Sequence, residues 1–502
     1  MSAKAELVTL YVDDSNKDGP WYGTKEDPYQ NITSALEHAI DGDTIFVRAG
    51  TYHENVVVNK SISLVGEDRD LTIVDGNENG TVISIKEADK VSIKGFTVQG
   101  SGLELPDSGI SVDQSSGSDI SNNIVTSNYN GIRFCYHSSG NVVSGNTITN
   151  NFNGISLSYY SCSNVVSGNT ITKNNEGISF YYYSSGNVVS GNTITNNDDG
   201  ISLFFSCDNV VSGNTITSNN EGIYLAFNSN NNTIYCNNFN NTHQVAGDST
   251  NVWDDGRKGN YWSNYTGQDL NEDGIGDNPY VIDVNNQDNH PLMGIFSVFN
   301  VTSERETHHV TTICNSTISD FRFEIGPETG NKIIRFNVTG KDSTVGFCRV
   351  GVPTELMNYS LIVLVGVQEI TPKILDDVSN ETCIYLYFTY IHGSHTIRII
   401  SSKTLYLYNE LLDKYIKLQV DLYNLNLSYF ELLGNYSELQ ESYRELNNSY
   451  QEHLSDYSQN VCNVRNLMYI FAATTAIFLM TTIYLSKHAH SGKTKVFEAT
   501  EK

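Results

Sequence analysis

At 502 residues the chain is longer than one ordinary hydrophobic core supports, so several domains are expected. Charged residues make up 17% and aromatic residues 11%, which excludes a disordered polymer. A formal net charge of −27 excludes nucleic acid as a partner and disfavours anionic glycans, because both need clustered Lys and Arg.

The N-terminal stretch "MSAKAELVTLYVDD" lacks the apolar h-region of a signal peptide. The expectation is a true start upstream, or a tail-anchored protein. Asn31 to Ile40 reads as a short amphipathic helix whose Ala35, Leu36, Ala39 and Ile40 plug the open end of the repeat array downstream of it. Degenerate apolar runs cover Asn55–Gly66 and Gly80–Gly100. A strict repeat then begins. Gly-Ile pairs stand at Gly109, Gly131, Gly154, Gly177, Gly200 and Gly222, 22 or 23 residues apart, and "NVVSGNTIT" starts at Asn141, Asn164, Asn187 and Asn209. Self-similarity at this period means a solenoid, and alternation within each unit means strands.

Coiling such strands into a parallel β-helix stacks equivalent residues about 4.8 Å apart. Ile132, Ile155, Ile178, Ile201 and Ile223 form one inward column, and Phe134, Leu157, Phe180, Leu203 and Leu225 a second. Continuing the alternation gives a third inward column, Tyr136, Tyr159, Tyr182, Phe205 and Phe227. Asn146, Asn169, Asn192 and Asn214 fall at turns, where each amide can bond its counterpart one coil on.

The segments "GDTIFVRAGTYHENV" and "KSISLVGEDRDLTIVDG", with the "NVVSGNTIT…GIS" repeats, resemble the NosD-like branch of right-handed parallel β-helix proteins in the pectin-lyase-like superfamily. "GNYWSNYTGQDLNEDGIGDNPYVID" resembles the way such domains end. The resemblance covers about residues 8–294 and implies a fold, not an activity. NosD itself is associated with copper delivery to nitrous oxide reductase. Soft-metal transfer would want Met, Cys or His clusters, and the five methionines here are scattered.

Seven segments are expected: an N-terminal strand and capping helix (1–54), the solenoid (55–250), its C-terminal cap (251–294), an immunoglobulin-like β-sandwich (295–402), a heptad coiled-coil stalk (403–462), a transmembrane helix (466–486) and a cytoplasmic tail (487–502). The sandwich rests on alternating runs such as "KIIRFNVTG" and "CIYLYFTY", and resembles a membrane-proximal domain of archaeal surface proteins. The stalk places Tyr at heptad position a from Tyr408 to Tyr457, with Leu422 the one exception, and Leu at d from Leu411 to Leu446, which predicts self-association along about 75 Å of helix. "LMYIFAATTAIFLMTTIYL", from Leu467 to Leu485, has the length of one bilayer crossing. Four lysines follow it and only Arg465 closely precedes it, so a cytoplasmic C-terminus with the bulk outside is expected. Of the eight cysteines, Cys314, Cys348 and Cys383 form a trio that permits one bridge.

Three features carry candidate chemistry. In "DLNEDGIGD", Asp269, Asn271, Asp273, the Ile275 carbonyl and Asp277 follow the first nine positions of an EF-hand-type loop, so a structural calcium ion is expected. The twelfth position is Tyr280 instead of Glu. Glu176, Asp199 and Glu221, joined by Asp198, form a column of like charge at a turn; adjacency alone does not make a glycosidase pair. Outward Tyr160, Tyr181, Tyr183 and Phe204 offer rings to sugars. Between Ser101 and Thr250 the only strong bases are Arg133 and Lys173, too few for a lyase of polyuronates. His392 and His395, in "YIHGSHTI", read as incidental residues of a hairpin tip. No catalytic residue is assigned. The expected function is adhesion, glycan binding or envelope structure at the cell surface, with neutral glycans or other envelope proteins as partners. The alternatives are a polysaccharide hydrolase or lyase on the same solenoid and a NosD-like copper-handling accessory.

Overall fold

A computed structural model describes residues 7–358, 360–456 and 462–497. The first six residues, Tyr457 of the heptad and the last five residues of the tail lie outside the described residues. The chain forms two compact units, residues 1–406 and 407–502.

The first unit opens with a right-handed parallel β-solenoid of about ten coils, its strands gathered into three parallel sheets of ten, ten and nine strands. A typical coil contributes Val142–Ser144 to the first sheet, Thr147–Thr149 to the second and Asn153–Ser158 to the third. Register follows the repeat: Ile155 pairs with Ile178, Leu157 with Phe180, and Ile178 with Ile201. The first two columns expected inside are buried from end to end.

The third expected column is not inside. Tyr136, Tyr159, Tyr182, Phe205 and Phe227 are exposed. Each carries a φ between 51° and 55°, and in four of the five a second left-handed residue follows: His137, Tyr160, Tyr183 and Asn228 after Tyr136, Tyr159, Tyr182 and Phe227. The left-handed backbone ends the strand and breaks period-two alternation, turning the ring outward.

Asparagine closes all three corners. Asn123, Asn146, Asn169, Asn192, Asn214, Asn237 and Asn260 form the ladder between first and second sheets, each Nδ2 donating to the Oδ1 one coil on at 2.9–3.1 Å. A second ladder runs from Asn128 through Asn151, Asn174, Asn197 and Asn219 to Asn241. A third runs from Asn141 through Asn164, Asn187, Asn209 and Asn232 to Asn251. Each Oδ1 also accepts the backbone N–H of the preceding coil's asparagine, as at Asn169 and Asn192. These corners would otherwise leave buried amides unpaired.

Both ends of the solenoid are covered. Helix Ile32–His38 buries Ile32, Ala35 and Leu36, with Asn31 as N-cap, and Ala39 beyond it is buried too. Ile40 lies past the helix and is exposed, so it takes no part in the plug. The helix's N-terminal amides at Ile32 and Thr33 donate to the Glu54 carboxylate. At the other end Trp262 stacks between Phe239 and Tyr280, with centroids at 4.6 and 4.4 Å. The Asp288 carboxylate accepts from Trp262 Nε1 and Asn260 N, and burial raises its pKa to about 6.

Residues Ile295–Ser402 form two five-stranded antiparallel sheets around one core. A smaller cluster joins them to the solenoid end through Cys236, Leu292, Phe296, Ile313, Phe347 and Tyr387. Helix Lys403–Asp456, most of which lies in the second unit, leaves Tyr415, Leu418, Leu422 and Leu425 among its described residues exposed. Met468–Lys487, within helix Cys462–Phe497, is one stretch long and apolar enough to cross a membrane.

Candidate functional site

The outer face of the third sheet carries the sequence-predicted residues. Its strands begin with a residue pointing out, followed by a glycine whose missing Cβ faces inward: a Cβ on Gly177 would meet the Gly200 carbonyl and Ile194. Glu176 pairs with Asn153 above and Asp199 below, and Asp199 with Glu221. The acidic column therefore opens the strands instead of lying in the turns before them. These carboxylates sit on neighbouring strands, which run about 4.8 Å apart, so Glu176 and Glu221 repel Asp199.

Ser156, Ser179 and Ser202 also alternate outward, yet all are buried. Larger groups rise on either side. Across Ser179 the Tyr181 hydroxyl reaches back to Glu176, 2.8 Å from each carboxylate oxygen. Ser202 Oγ donates to Asp199 at 3.2 Å. Burial raises Glu176 above the usual carboxylate range despite that hydroxyl. Burial, then the charges of Glu221, Glu176 and Asp198, brings Asp199 to about 6. The Tyr181 phenol is pushed up by burial and by Glu176. Asp199, at about 6, and the raised Glu176 therefore keep their protons to higher pH than ordinary carboxylates do.

The rings form ladders. Tyr181 and Phe204 stack at 5.0 Å and 3°, and Tyr224 ends that ladder at a tilt of 58°. Tyr160 and Tyr183 belong to another ladder with His137, at 5.2 and 5.3 Å. They sit beyond the strand ends, beside the ladder Tyr136–Tyr159–Tyr182–Phe205–Phe227. Tyr129 and Phe152 make a fourth stack before the third sheet. Within a ladder each ring's faces meet its neighbours above and below, so the strip turns ring edges and hydroxyls outward. Flat stacking on a sugar has room only at ladder ends. His137, Tyr129 and Phe152 escaped the sequence reading, although the period contains them: His137 stands 23 residues before Tyr160, and Tyr129 23 before Phe152. Arg133 is buried above this face with Nη1 3.1 Å from Cys135 Sγ, and so is not offered to a ligand.

The Asp269–Asp277 loop stands apart from this face. Asp269 accepts from the Asp273 and Gly274 amides, Asp273 from Ile275 N, and Asp277 from Leu270 N. Burial, with the charges of Asp273 and Asp277, raises Asp269. A cation would relieve that repulsion. Against this, Lys373 Nζ donates to the carbonyls of Asn271 and Glu272, and Arg349 Nη1 to that of Asp273 at 3.0 Å. Among the described residues no three His, Cys, Asp or Glu side chains are gathered as metal ligands. The loop fits calcium in its turn geometry and only in part in its donor set.

The coils, their register and the asparagine corners define a right-handed parallel β-helix. Residues 36–267 match the family described as Periplasmic copper-binding protein (NosD), a similarity that takes in most of the solenoid. A stretch of 105 residues is 37% identical to "Probable pectinesterase/pectinesterase inhibitor 6" of Arabidopsis thaliana, over 20% of this chain and 18% of that protein, so the chain spans under a fifth of that relative. Among solved structures, an alginate lyase from Paenibacillus sp. str. FPU-7 aligns at 16% identity over 51% of this chain and 98% of its own, with a TM-score of 0.37. Pectate lyase Pel9A aligns at 15% identity over 50% of this chain and 81% of its own, with a TM-score of 0.38.

Proposed function

We propose that the chain is a non-catalytic protein of the cell surface, anchored by its C-terminal helix with its bulk outside, whose solenoid engages neutral glycans. The observation that carries the reading is the strip of exposed Tyr159, Tyr160, Tyr182 and Tyr183 beside the carboxylates of Glu176 and Asp199. It presents hydroxyls and acceptors for sugar hydroxyl groups, and its one nearby arginine is buried. Binding of the full chain, in detergent, to a panel of neutral polysaccharides is the test. The double substitution Tyr160→Ala with Tyr183→Ala should weaken binding about tenfold, the effect of losing two exposed hydrogen-bonding hydroxyls from one ladder. Shortened oligosaccharides in the supernatant would instead establish a hydrolase or lyase. That second reading has its own support in the raised pair Glu176 and Asp199. A copper-handling role is the third, supported by the family match alone; Cu(I) uptake by calorimetry would favour it.

Two further parts of the proposal concern assembly. The exposed heptad face supports self-association as a dimer or trimer, and other envelope proteins are candidate neighbours. Calcium bracing the Asp269–Asp277 loop is the other. Sedimentation of the full chain in detergent should show the oligomer, and calcium should raise the thermal midpoint relative to a chelator. A monomer at high concentration removes the first; an unmoved midpoint leaves the loop to Lys373 and Arg349.

A further inference from the structure

We propose that Cys314 and Cys348 are a built disulfide site that covalently ties two neighbouring strands of the sandwich, with Cys383 left as the free thiol. Strand Glu306–Cys314 ends with Cys314 directly opposite Cys348 of strand Val345–Pro353. Directly opposed residues of antiparallel strands have Cα separations of about 4.5–5.5 Å, inside the span a disulfide bridges. The two sulfurs lie 2.8 Å apart, both fully buried. Cys383 faces Pro353, five residues further along the same strand. That offset is about 16 Å, well beyond disulfide reach.

A polar chain leads away from the pair. Tyr390 Oη lies 3.6 Å from Cys314 Sγ and 3.7 Å from Cys348 Sγ. Ser316 Oγ lies 2.6 Å from that hydroxyl and 2.8 Å from His392 Nε2, and His392 Nδ1 lies 2.6 Å from Thr344 Oγ1. His392 is thus bonded on both nitrogens in the sandwich and is not an idle hairpin residue. The Ser316 amide points at Cys314 Sγ at 3.4 Å. Donors on Cys314 favour its thiolate, while burial holds Cys348 protonated. The thiolate of either cysteine displaces one thiolate from a small-molecule or protein disulfide, giving a mixed disulfide. The other cysteine, on losing its proton, then attacks the bridged cysteine sulfur and expels the second thiolate. Two thiols are oxidised, one disulfide is reduced to two thiols, and the protons end on the leaving sulfurs. Because neither sulfur is exposed, this exchange belongs to the period before the sheets close.

The bond would fix the strands that meet the solenoid. Ile313 and Phe347, each next to one cysteine, belong to the junction cluster, and Arg349 caps the Asp273 carbonyl. A persistent disulfide also needs an oxidising compartment, which agrees with an external sandwich; a test in vitro is independent of that reading.

The full chain in detergent, reduced and unfolded, is refolded with mixed oxidised and reduced glutathione, alkylated, and digested without reductant for mass spectrometry. The expected product joins the Cys314 and Cys348 peptides, lighter by two hydrogens, with Cys383 alkylated. Cys383→Ser should leave that product unchanged and Cys348→Ser should abolish it. A Cys383 linkage to either partner, or full alkylation of Cys314 and Cys348 in refolded wild type, overturns the proposal. Should Cys348→Ser not fold, wild type and Cys383→Ser still decide it.

Discussion

Replacing Asn192 by alanine should lower the stability of the solenoid by about 3–5 kcal/mol, at the upper end of single-substitution effects. Asn192 is buried at the middle of its ladder and serves three coils at once. Its Oδ1 accepts the backbone N–H and the Nδ2 of Asn169, at 2.9 and 3.0 Å. Its Nδ2 donates to the carbonyls of Val166 and Ser190 and to Asn214 Oδ1. Alanine deletes all of these and gives nothing back. The buried Asn169 backbone N–H is stranded, the Val166 and Ser190 carbonyls each lose a donor, and each stranded buried group costs about 1–3 kcal/mol. The surface residue Asn175, equally an asparagine of the repeat, is the control. Its side chain is exposed, and Asn175→Ala should stay within about 0.5 kcal/mol of wild type. Urea midpoints of the two variants, with hydrogen exchange at the Asn169 amide, measure the contrast. Equal midpoints would mean that the ladders are decoration.

The ladders also mark what a sequence discloses about such a rod. Ile132, Ile155, Ile178 and their successors could be placed inside because one period and one alternation fix both their height and their side. The same alternation fails two residues after Phe134 or Leu157, where left-handed backbone begins at Tyr136 and Tyr159. Nothing in an aromatic pair announces a positive φ, since aromatic residues seldom adopt it. One asparagine corner was legible from "SGN", with glycine making the turn. The other two lacked a glycine in every coil: Gly140 and Gly186 precede Asn141 and Asn187, but Ser163 and Asp208 precede Asn164 and Asn209, and no glycine adjoins Asn151. The acidic column was legible as a column, since 22- and 23-residue spacing links Glu176, Asp199 and Glu221. Its place on the strand, and Tyr181 folded across Ser179 to meet it, depended on which way one glycine faces. Cysteine pairing was beyond the sequence altogether. Three thiols spread over Cys314–Cys383 could be ordered only once strand neighbours were known.

The glycine before each isoleucine carries the second large effect. Gly177→Ala should cost about 3 kcal/mol, the upper part of the range for overpacking a core. An added Cβ would sit 2.4 Å from the Gly200 carbonyl oxygen and 3.0 Å from Ile194 Cγ2. A backbone carbonyl one coil away cannot swing aside, because it belongs to the next rung of the stack. The repeat also contains glycines of another kind. Gly168 has φ +63° and nothing within 4 Å of its would-be Cβ, so Gly168→Ala meets only the left-handed backbone penalty of about 1 kcal/mol. The expected order is therefore Gly177→Ala well below Gly168→Ala in denaturation midpoint. The opposite order would show that turn conformation, not coil spacing, limits the repeat. Gly177 further decides where the acidic column points. It turns inward beside the inward Ile178, which leaves Glu176 on the outer face, 2.8 Å from Tyr181 Oη. In refolded Gly177→Ala the shift of coil against coil should separate Glu176 from Asp199. Their mutual repulsion then falls, and the Asp199 carboxyl, followed by NMR, should titrate below the value of about 6 that burial and its neighbours now impose.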